Sequence, residues 1–310
     1  SRMKKKQTGK QDRLIQCVAA EGMFRVTFIE GTRLVREARQ IHGLSRVATA
    51  ALGRQLMMTA IMAADLKHED DKVSTILNGD GPAGSMICTG NAALEVKGSV
   101  PNGISELLPT PEGKLDVGGF VGHTGKLTVV SDMGLKEPYV GVSNLVSGEI
   151  AIDFAQYYAA SLQRPALIYL GVRLNAESGE VLSAGGVFAE PMPGCPEELL
   201  DRLQQKSAEI VTLSKQLDAG ETAEAFLERV FGEFGLTIAS EREPVYRCDC
   251  SRERIERALI STGVQELRSM MEEDHGAGVT CRFCDKIYTF TEEDLRELVN
   301  AASGNEDEDS

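Results

Sequence analysis

Four of the seven cysteines in this chain lie within one short stretch near its C-terminal end. Cys248 and Cys250 are separated by one residue, and Cys281 and Cys284 by two. In an extended backbone both side chains of a Cys-X-Cys pair point to the same face, and a Cys-X-X-Cys pair reaches one metal across a tight turn. Together the two pairs supply four thiolates, a complete tetrahedral shell for zinc.

The donor set also indicates which metal is bound. Soft sulfur ligands exclude Mg²⁺ and Ca²⁺. An iron–sulfur cluster also uses four cysteines, but the Cys-X-Cys arm fits a cluster less well. We therefore predict one Zn²⁺ ion per chain, held by Cys248, Cys250, Cys281 and Cys284, with four unrelated core cysteines as the alternative. Because a full shell leaves no open position, hydrolytic zinc chemistry is not expected.

Zinc in a four-cysteine module is often purely structural, and two features favour a second role as an oxidation switch. Structural zinc contributes roughly 10–16 kcal/mol of folding free energy, on which a small domain depends heavily. Each cysteine also has a potential oxidation partner two or three positions away. Thiolates react with peroxide, and the resulting sulfenic acid condenses with a nearby thiol. Disulfide formation would eliminate the ligands, release the zinc and destabilise the domain.

The first part of the chain alternates short β-prone runs with turn residues, and two segments read as helices. The pattern predicts an α+β fold in which an N-terminal domain, residues 1–194, packs sheet strands against helices. The predicted helices span 45–66 and 150–161. The predicted strands span 14–20, 24–29, 74–77, 86–89, 93–97, 126–130, 166–174 and 181–187.

Residues 195–245 differ in pattern from the domain before them. Pro196 opens a helix predicted over 197–218, and a second helix is predicted over 222–231, each with an apolar stripe among charges. Short amphipathic helices rely on tertiary docking for their stability. We therefore predict a metastable helical linker that folds against a neighbouring surface and can detach.

Residues 246–302 are predicted to form a zinc-binding redox-switch domain. Ser251 can cap a helix, and Thr291 with Asp294 forms a capping box for a final helix ending near residue 302. Between them we predict a helix over 265–273 and a hairpin over 279–290. Residues 303–310 form an acidic tail, and we expect disorder from residue 305 onward.

Charge and hydropathy exclude several classes of partner. The net charge is −14, and residues 246–310 contain 8 Arg and Lys against 16 Asp and Glu, a balance of 8 − 16 = −8. Nucleic-acid binders need the opposite sign, and no apolar run reaches the roughly 18 residues of a membrane span. Lys4 to Lys6 precede an apolar run too short for a signal peptide. We expect a cytoplasmic protein with no nucleic-acid or membrane partner.

The remaining cysteines and the histidines carry weaker signals. Cys17 and Cys88 are predicted to be buried small apolar residues, whereas Cys195 lies at a domain junction and can be exposed. The histidines have no ligand spacing, although one lies close in sequence to the Cys-X-X-Cys pair and is a weak candidate ligand. They are His42, His68, His123 and His275.

Motifs in both domains resemble one known family. Residues 246–254 read Tyr-Arg-Cys-Asp-Cys-Ser-Arg-Glu-Arg, and they are followed by Cys-Arg-Phe-Cys at 281–284 and Tyr-Thr-Phe at 288–290. Residues 78–84, Asn-Gly-Asp-Gly-Pro-Ala-Gly, and 147–151, Ser-Gly-Glu-Ile-Ala, add N-terminal motifs. From about residue 12 to residue 290, the chain resembles the redox-regulated heat-shock chaperones, a family of zinc-dependent holdases.

The resemblance implies a function and a mechanism. The zinc ligands would be the four cysteines already named, and the redox-active disulfides would pair Cys248 with Cys250 and Cys281 with Cys284. The reduced, zinc-bound form would be inactive. The oxidised form would lose zinc, unfold its linker, form a homodimer and hold unfolded or aggregation-prone client proteins without ATP. The chain would therefore not be an enzyme.

Two other classes of function fit the sequence less well. A thiol–disulfide oxidoreductase would use Cys281 and Cys284, but the predicted hairpin is not the strand-to-helix turn of such enzymes, and nearby cysteines would compete. A nucleic-acid module with a structural zinc ribbon is disfavoured by the charge of its zinc segment.

Overall fold

The computed structural model describes residues 10–306, with side chains through residue 303. The chain divides between Arg247 and Cys248 into two compact units. The basic run Lys4 to Lys6 and residues 307–310 of the acidic tail lie outside the described residues. Among the helices of residues 10–306, none is both long and apolar enough to cross a bilayer.

The strands follow one another as β1 Arg13–Ala19, β2 Phe24–Glu30, β3 Lys72–Gly79, β4 Ser85–Asn91, β5 Glu95–Ser99, β6 Gly125–Asp132, β7 Tyr139–Asn144, β8 Leu167–Leu174, β9 Val181–Pro191, β10 Thr237–Arg242, β11 Val245–Tyr246, β12 Gly276–Thr280 and β13 Ile287–Thr291. The helices are α1 Thr32–His42, α2 Arg46–Ala63, α3 Val117–Val121, α4 Ala151–Ala160, α5 Glu197–Gln205, α6 Ser207–Ile210, α7 Leu213–Asp218, α8 Ala223–Phe231, α9 Arg252–Ile260, α10 Val264–Glu273 and α11 Glu292–Glu306. Mixed helix and strand content confirms the predicted α+β class.

Two sheets build the first unit around helix α2. One has the strand order β10-β1-β2-β9-β8, and the other has the order β11-β5-β4-β3-β6-β7. Helix α2 contacts strands of both sheets and is buried nearly all round, as its uniformly apolar sequence predicts. Its close approach requires Gly53, where an added Cβ would lie 2.9 Å from methyl carbons of Val35 and Val172.

The five-stranded sheet buries both of its faces. Strand β1 alternates, so that Leu14 lies in the large cluster with α1 and α2 whereas Ile15 and Cys17 lie in a second cluster on the opposite face. Period-two alternation accounts for this separation. The predicted linker covers the second face with apolar side chains from its helices. These are Leu203, Ile210, Leu213, Phe226, Leu227, Val230 and Phe231.

The predicted continuous helix over 197–218 is wrong, because the chain there forms three short helices, α5, α6 and α7. At the breaks, the N–H of Lys206 donates to the carbonyl of Leu203 at 3.0 Å, and the N–H of Thr212 donates to that of Glu209 at 3.1 Å. These three-residue turns replace the four-residue α-helical step. The tighter turns redirect each segment, so that successive apolar side chains all reach the sheet.

Two strands that no sequence pattern predicts follow the linker helices. Strand β10, within the linker, pairs antiparallel with β1, and the two-residue strand β11, which spans the boundary between residues 245 and 246, pairs in parallel with β5. The β10 side chains are mostly exposed and polar, so the strand has no apolar alternation to reveal it. Its conformation follows from the available edge of β1.

A charged clamp joins β1 to two linker elements. The Arg13 guanidinium donates to the Glu241 carboxylate of β10, with its shortest contact at 2.6 Å. The same group donates to Glu224 of α8 at 2.5 and 3.0 Å. Hydrogen bonding to Arg13 lowers the pKa of Glu224 to about 2. The carboxylate is half-exposed, so solvent screens the pair and its contribution to stability is modest.

The clamp predicts an acid-sensitive contribution to the stability of the first unit. A depressed carboxyl pKa stabilises the folded state above the unfolded pKa of about 4.3, and that stabilisation is lost as pH falls toward about 2. Glu224→Gln should therefore reduce the change in urea midpoint between about pH 4.5 and 2, measured by far-UV circular dichroism. Glu177→Gln, on an exposed turn, should change with pH as the wild type does. An unchanged pH dependence in Glu224→Gln would contradict the clamp.

The second unit contains α9, α10, α11 and the β12–β13 hairpin. Two predicted caps are confirmed: Ser251 Oγ accepts from the N–H of Arg254, and Thr291 and Asp294 exchange the hydrogen bonds of a capping box. Helix α11 continues to Glu306, so the expected end near residue 302 is wrong, as is disorder at residues 305 and 306. Gly304 costs only about 1 kcal/mol in a helix interior, too little by itself to end the helix.

Candidate metal centre

Four cysteine sulfurs converge in the second unit. The Sγ atoms of Cys248, Cys250, Cys281 and Cys284 all lie within 4.8 Å of one another. The Cys248 and Cys281 sulfurs are 3.7 Å apart, and the Cys250 and Cys284 sulfurs are 3.5 Å apart. Within residues 10–306, no other group of three or more Cys, His, Asp or Glu side chains is placed to hold a metal.

The Cys-X-X-Cys pair occupies the turn of the β12–β13 hairpin. The N–H of Asp285 donates to the carbonyl of Cys281 at 2.8 Å, and the N–H of Cys281 donates to the carbonyl of Lys286 at 2.9 Å. Asp285 has a φ of 60°, in the left-handed region that Asp tolerates better than most residues. This turn brings the Cys281 and Cys284 thiols together.

The Cys-X-Cys pair lies in the extended segment between β11 and α9. Helix α9 is fixed to the hairpin by its first residue, because the Arg252 guanidinium donates to the Thr289 carbonyl at 2.9 Å and lies 3.1 Å from the Asp294 carboxylate. The guanidinium carbon also lies 4.3 Å from the centre of the Phe290 ring. Arg252 therefore holds the Cys-X-Cys arm against the strand that follows the Cys-X-X-Cys turn.

The arrangement of the thiols fits zinc. A tetrahedral site with zinc–sulfur bonds of about 2.3 Å places its sulfurs about 3.8 Å apart. The closest sulfur pairs, at 3.5 and 3.7 Å, approach this spacing and are far longer than a disulfide bond of about 2.05 Å. None of the four cysteines is joined in a disulfide. Their side chains supply a complete soft shell, and their roles as ligands and redox-active residues remain predictions.

Tyr288 contributes a polar contact to this group. Its hydroxyl lies 3.1 Å from the Cys250 sulfur. Burial raises the pKa of the Cys250 thiol, but hydrogen bonds led by that from Tyr288 outweigh burial and leave this pKa below its ordinary value. Burial dominates at Cys284 and raises the pKa of that thiol. The two arms of the cluster therefore present their sulfurs in different environments.

The core of the second unit is small and includes the cysteines. Its buried apolar residues surround Cys281, and the other three cysteines pack against them. The residues in this core are Leu259, Leu267, Cys281, Tyr288, Phe290, Leu295, Leu298, Val299 and Ala302. No sequence pattern marks Tyr288 or Arg252 as neighbours of the four thiols. The alternation of side chains along β13 could have indicated that Tyr288 and Phe290 point into the core beside the thiols.

The other candidate residues lie outside the metal centre. Cys17 and Cys88 are fully buried, as predicted, and burial raises the pKa of Cys17 to about 11. Cys195 is partly exposed. His275 lies 3.4 Å from the Glu292 carboxylate and is not a member of the metal-binding group.

Comparisons with known proteins agree over nearly the whole chain. The sequence model of the family described as Hsp33 protein matches residues 12–291. The chain belongs to the Hsp33 family. The 33 kDa chaperonin of Lachnoclostridium phytofermentans is 39% identical over 94% of this chain and 99% of the relative. That of Clostridium perfringens is 41% identical over 93% and 91%, respectively.

A solved structure supports the same assignment. The crystal structure of the 33 kDa chaperonin, a heat shock protein 33 homologue, from Thermotoga maritima has a TM-score of 0.87 and 31% sequence identity. The match covers 95% of this chain and 100% of the Thermotoga chain. Hsp33 is a chaperone family and not an enzyme family, so this chain is a chaperone.

The small core of the second unit predicts a strong dependence on metal. Removal of zinc by a chelator should unfold the second unit and leave the first folded, because structural zinc contributes roughly 10–16 kcal/mol. Hydrogen exchange followed by mass spectrometry would show loss of protection in β12 and β13, with β1 and β2 still protected. Cys281→Ser should have the same effect without chelator, and Cys195→Ser should bind one zinc per chain. Continued protection of the hairpin would contradict this dependence.

Proposed function

We propose that this chaperone is an oxidation-activated holdase controlled at Cys248, Cys250, Cys281 and Cys284. The reduced form holds one Zn²⁺ ion through these thiolates and is inactive. The oxidised form is disulfide-bonded and free of zinc, and it binds unfolded or aggregation-prone proteins and prevents their aggregation. The convergence of the four thiols, contributed by two short-range pairs in a small core, carries the proposal.

Oxidation by a hydroperoxide provides a balanced route to each disulfide. One thiolate attacks a peroxide oxygen, forming a sulfenic acid and releasing hydroxide or alkoxide. A second thiolate attacks the sulfenic sulfur, forms the S–S bond and displaces the oxygen as hydroxide. Two sulfurs lose two electrons and the peroxide gains them. Because metal binding needs thiolates, two such reactions remove the whole donor set.

The disulfides proposed here pair Cys248 with Cys250 and Cys281 with Cys284. In the folded unit, the closest sulfur contacts instead join the two arms, Cys248 to Cys281 and Cys250 to Cys284. Pairing within each arm is supported by the family resemblance and by loop-closure entropy, which favours short loops once the unit has unfolded. Peptide mapping of the oxidised protein distinguishes the two pairings.

Loss of the second unit is proposed to release the linker, residues 195–245. Only Tyr246 and Arg247 separate the linker from the Cys-X-Cys arm. The linker is docked by one apolar surface and by partly exposed ion pairs, which are individually weak. Its release would uncover aromatic side chains on the sheet, including Phe24 and Phe28, and on α8, including Phe226. Exposed apolar surface of this kind suits unfolded proteins.

The remaining features of the proposal concern surroundings and assembly. Reduced thiols suit the cytoplasm, where disulfides are rare. The acidic balance of the zinc segment disfavours nucleic acid, and we propose no membrane partner. The oxidised form is proposed to be a homodimer.

Light scattering by an aggregating client tests the switch. Reduced, zinc-bound protein should not suppress the scattering, and protein treated with peroxide at elevated temperature should suppress it. In Cys281→Ser/Cys284→Ser the difference between reduced and peroxide-treated samples should disappear, because the zinc shell and one disulfide are absent. Cys195→Ser should respond to oxidant as the wild type does.

Two results would refute the proposal. Equal suppression by the reduced and oxidised wild type would make the zinc a purely structural element. Absence of suppression in both states would show that the protein is not a holdase.

A further inference from the structure

Tyr288 is a buried polar side chain to which the proposed switch assigns no role. Its phenolic ring belongs to the core of the second unit, with only 6% of the residue exposed. The hydroxyl lies 3.1 Å from the Cys250 sulfur, within hydrogen-bonding distance for a sulfur acceptor. A phenol donates one hydrogen bond, and a thiolate only accepts. When Cys250 is a thiolate, as zinc binding requires, Tyr288 is the donor and Cys250 the acceptor.

The position of the ring is fixed from several directions. Tyr288 pairs with Val279 across the β12–β13 hairpin, so the same backbone pairing that forms the Cys-X-X-Cys turn sets its location. The ammonium group of Lys286, in the turn just before β13, lies 4.9 Å from the centre of the Tyr288 ring. Because the hairpin and the packed core already fix the ring, the hydroxyl is directed at the sulfur without a further loss of side-chain conformational entropy.

The two arms of the cluster are held differently. The Cys-X-X-Cys arm is closed by backbone hydrogen bonds of the turn itself, which join Cys281 to Asp285 and Lys286. The Cys250 sulfur accepts from a side chain that lies 38 positions later in the chain. Because Tyr288 belongs to the hairpin, its hydrogen bond to Cys250 ties the Cys-X-Cys arm to the hairpin. The donor is a side chain, so mutation of Tyr288 can remove this hydrogen bond.

We propose that Tyr288 is a positioning residue that strengthens the binding of Cys250 to zinc and slows the oxidation of this cysteine by peroxide. Hydrogen bonds to a metal ligand orient it and tune its donor strength. A donor to sulfur also draws electron density from the thiolate, which lowers its nucleophilicity toward the peroxide oxygen. The proposal rests on the proposed function for the identity of the metal and of the oxidant. The oxidation is the two-electron reaction given above.

Tyr288→Phe tests this role because it removes the hydroxyl and keeps the ring that fills the core. The full-length variant should bind zinc about 10- to 100-fold more weakly, as measured by competition with a chromophoric chelator. Under peroxide it should release zinc roughly threefold faster. Tyr139→Phe, which removes a hydroxyl from a half-exposed side chain in the first unit, should match the wild type in both measurements.

Cobalt substitution gives a readout that requires neither oxidant nor a client. Thiolate-to-cobalt charge-transfer bands of the reduced protein report the electron density on sulfur. In Tyr288→Phe these bands should move to longer wavelength while the tetrahedral d–d bands remain. Retention of the d–d bands would also show that the four-sulfur shell still forms, which separates loss of the hydrogen bond from loss of the fold.

A strengthened donor should have the opposite effect. Biosynthetic replacement of the tyrosines by 3-fluorotyrosine makes each phenol a better hydrogen-bond donor. Zinc release under peroxide should then be slower than in the unlabelled wild type. The same labelling of Tyr288→Phe should change nothing, because the five other tyrosines of the six are not the donor.

Unchanged zinc affinity, charge-transfer energy and release rate in Tyr288→Phe would overturn the inference. The affinity and cobalt measurements succeed or fail independently of chaperone activity. A chaperone that is active in both redox states, with Tyr288→Phe still weakening the metal site, would refute the proposed switch and support the role of Tyr288. Oxidation-dependent activity with no effect of Tyr288→Phe would support the proposed switch and refute the role of Tyr288.

Discussion

Burial of both faces of the five-stranded sheet is the constraint on which the first unit depends. Alternation along β1 sends Leu14 to the cluster with α1 and α2, and Ile15 and Cys17 to the cluster with the linker helices. The first cover comes from helices enclosed between two sheets. The second comes from short helices that curve over the sheet through two tight turns. Without this second cover, aromatic side chains such as Phe28 would face water.

The stability of the second unit has a different source. Its core has few large side chains, and one buried member of that core is Cys281. Arg252 and the capping box organise the polar surroundings, but they lie near the surface and contribute little individually. A metal held by the four thiolates would replace the apolar burial that a unit of this size lacks. A chemical reaction at the sulfurs would then act on the main source of its stability.

Much of this architecture was predictable from local sequence. Short β-prone runs between turn residues identified β1 and β2, a largely apolar sequence identified α2, and the paired cysteine spacings identified the four thiols that converge. The breaks at Lys206 and Thr212 were not predictable, because they follow from the packing of the linker on the sheet and not from a local breaker residue. Strand β10 was hidden because its pairing partner, and not its side chains, determines its conformation. The Tyr288 contact depends on how the Cys-X-Cys arm folds across the hairpin, which no local pattern encodes.

The place of β10 at the end of the five-stranded sheet has a consequence for recognition. The strand is part of the linker, and β1 is its neighbour over most of its length. Detachment of the linker as far as Arg242 would leave β1 as the terminal strand, with a row of amides and carbonyls lacking partners. Main-chain pairing is nearly indifferent to side-chain identity, so an extended polypeptide of almost any sequence can satisfy such an edge. Release of the linker would therefore expose a sheet edge with which unrelated extended chains can pair.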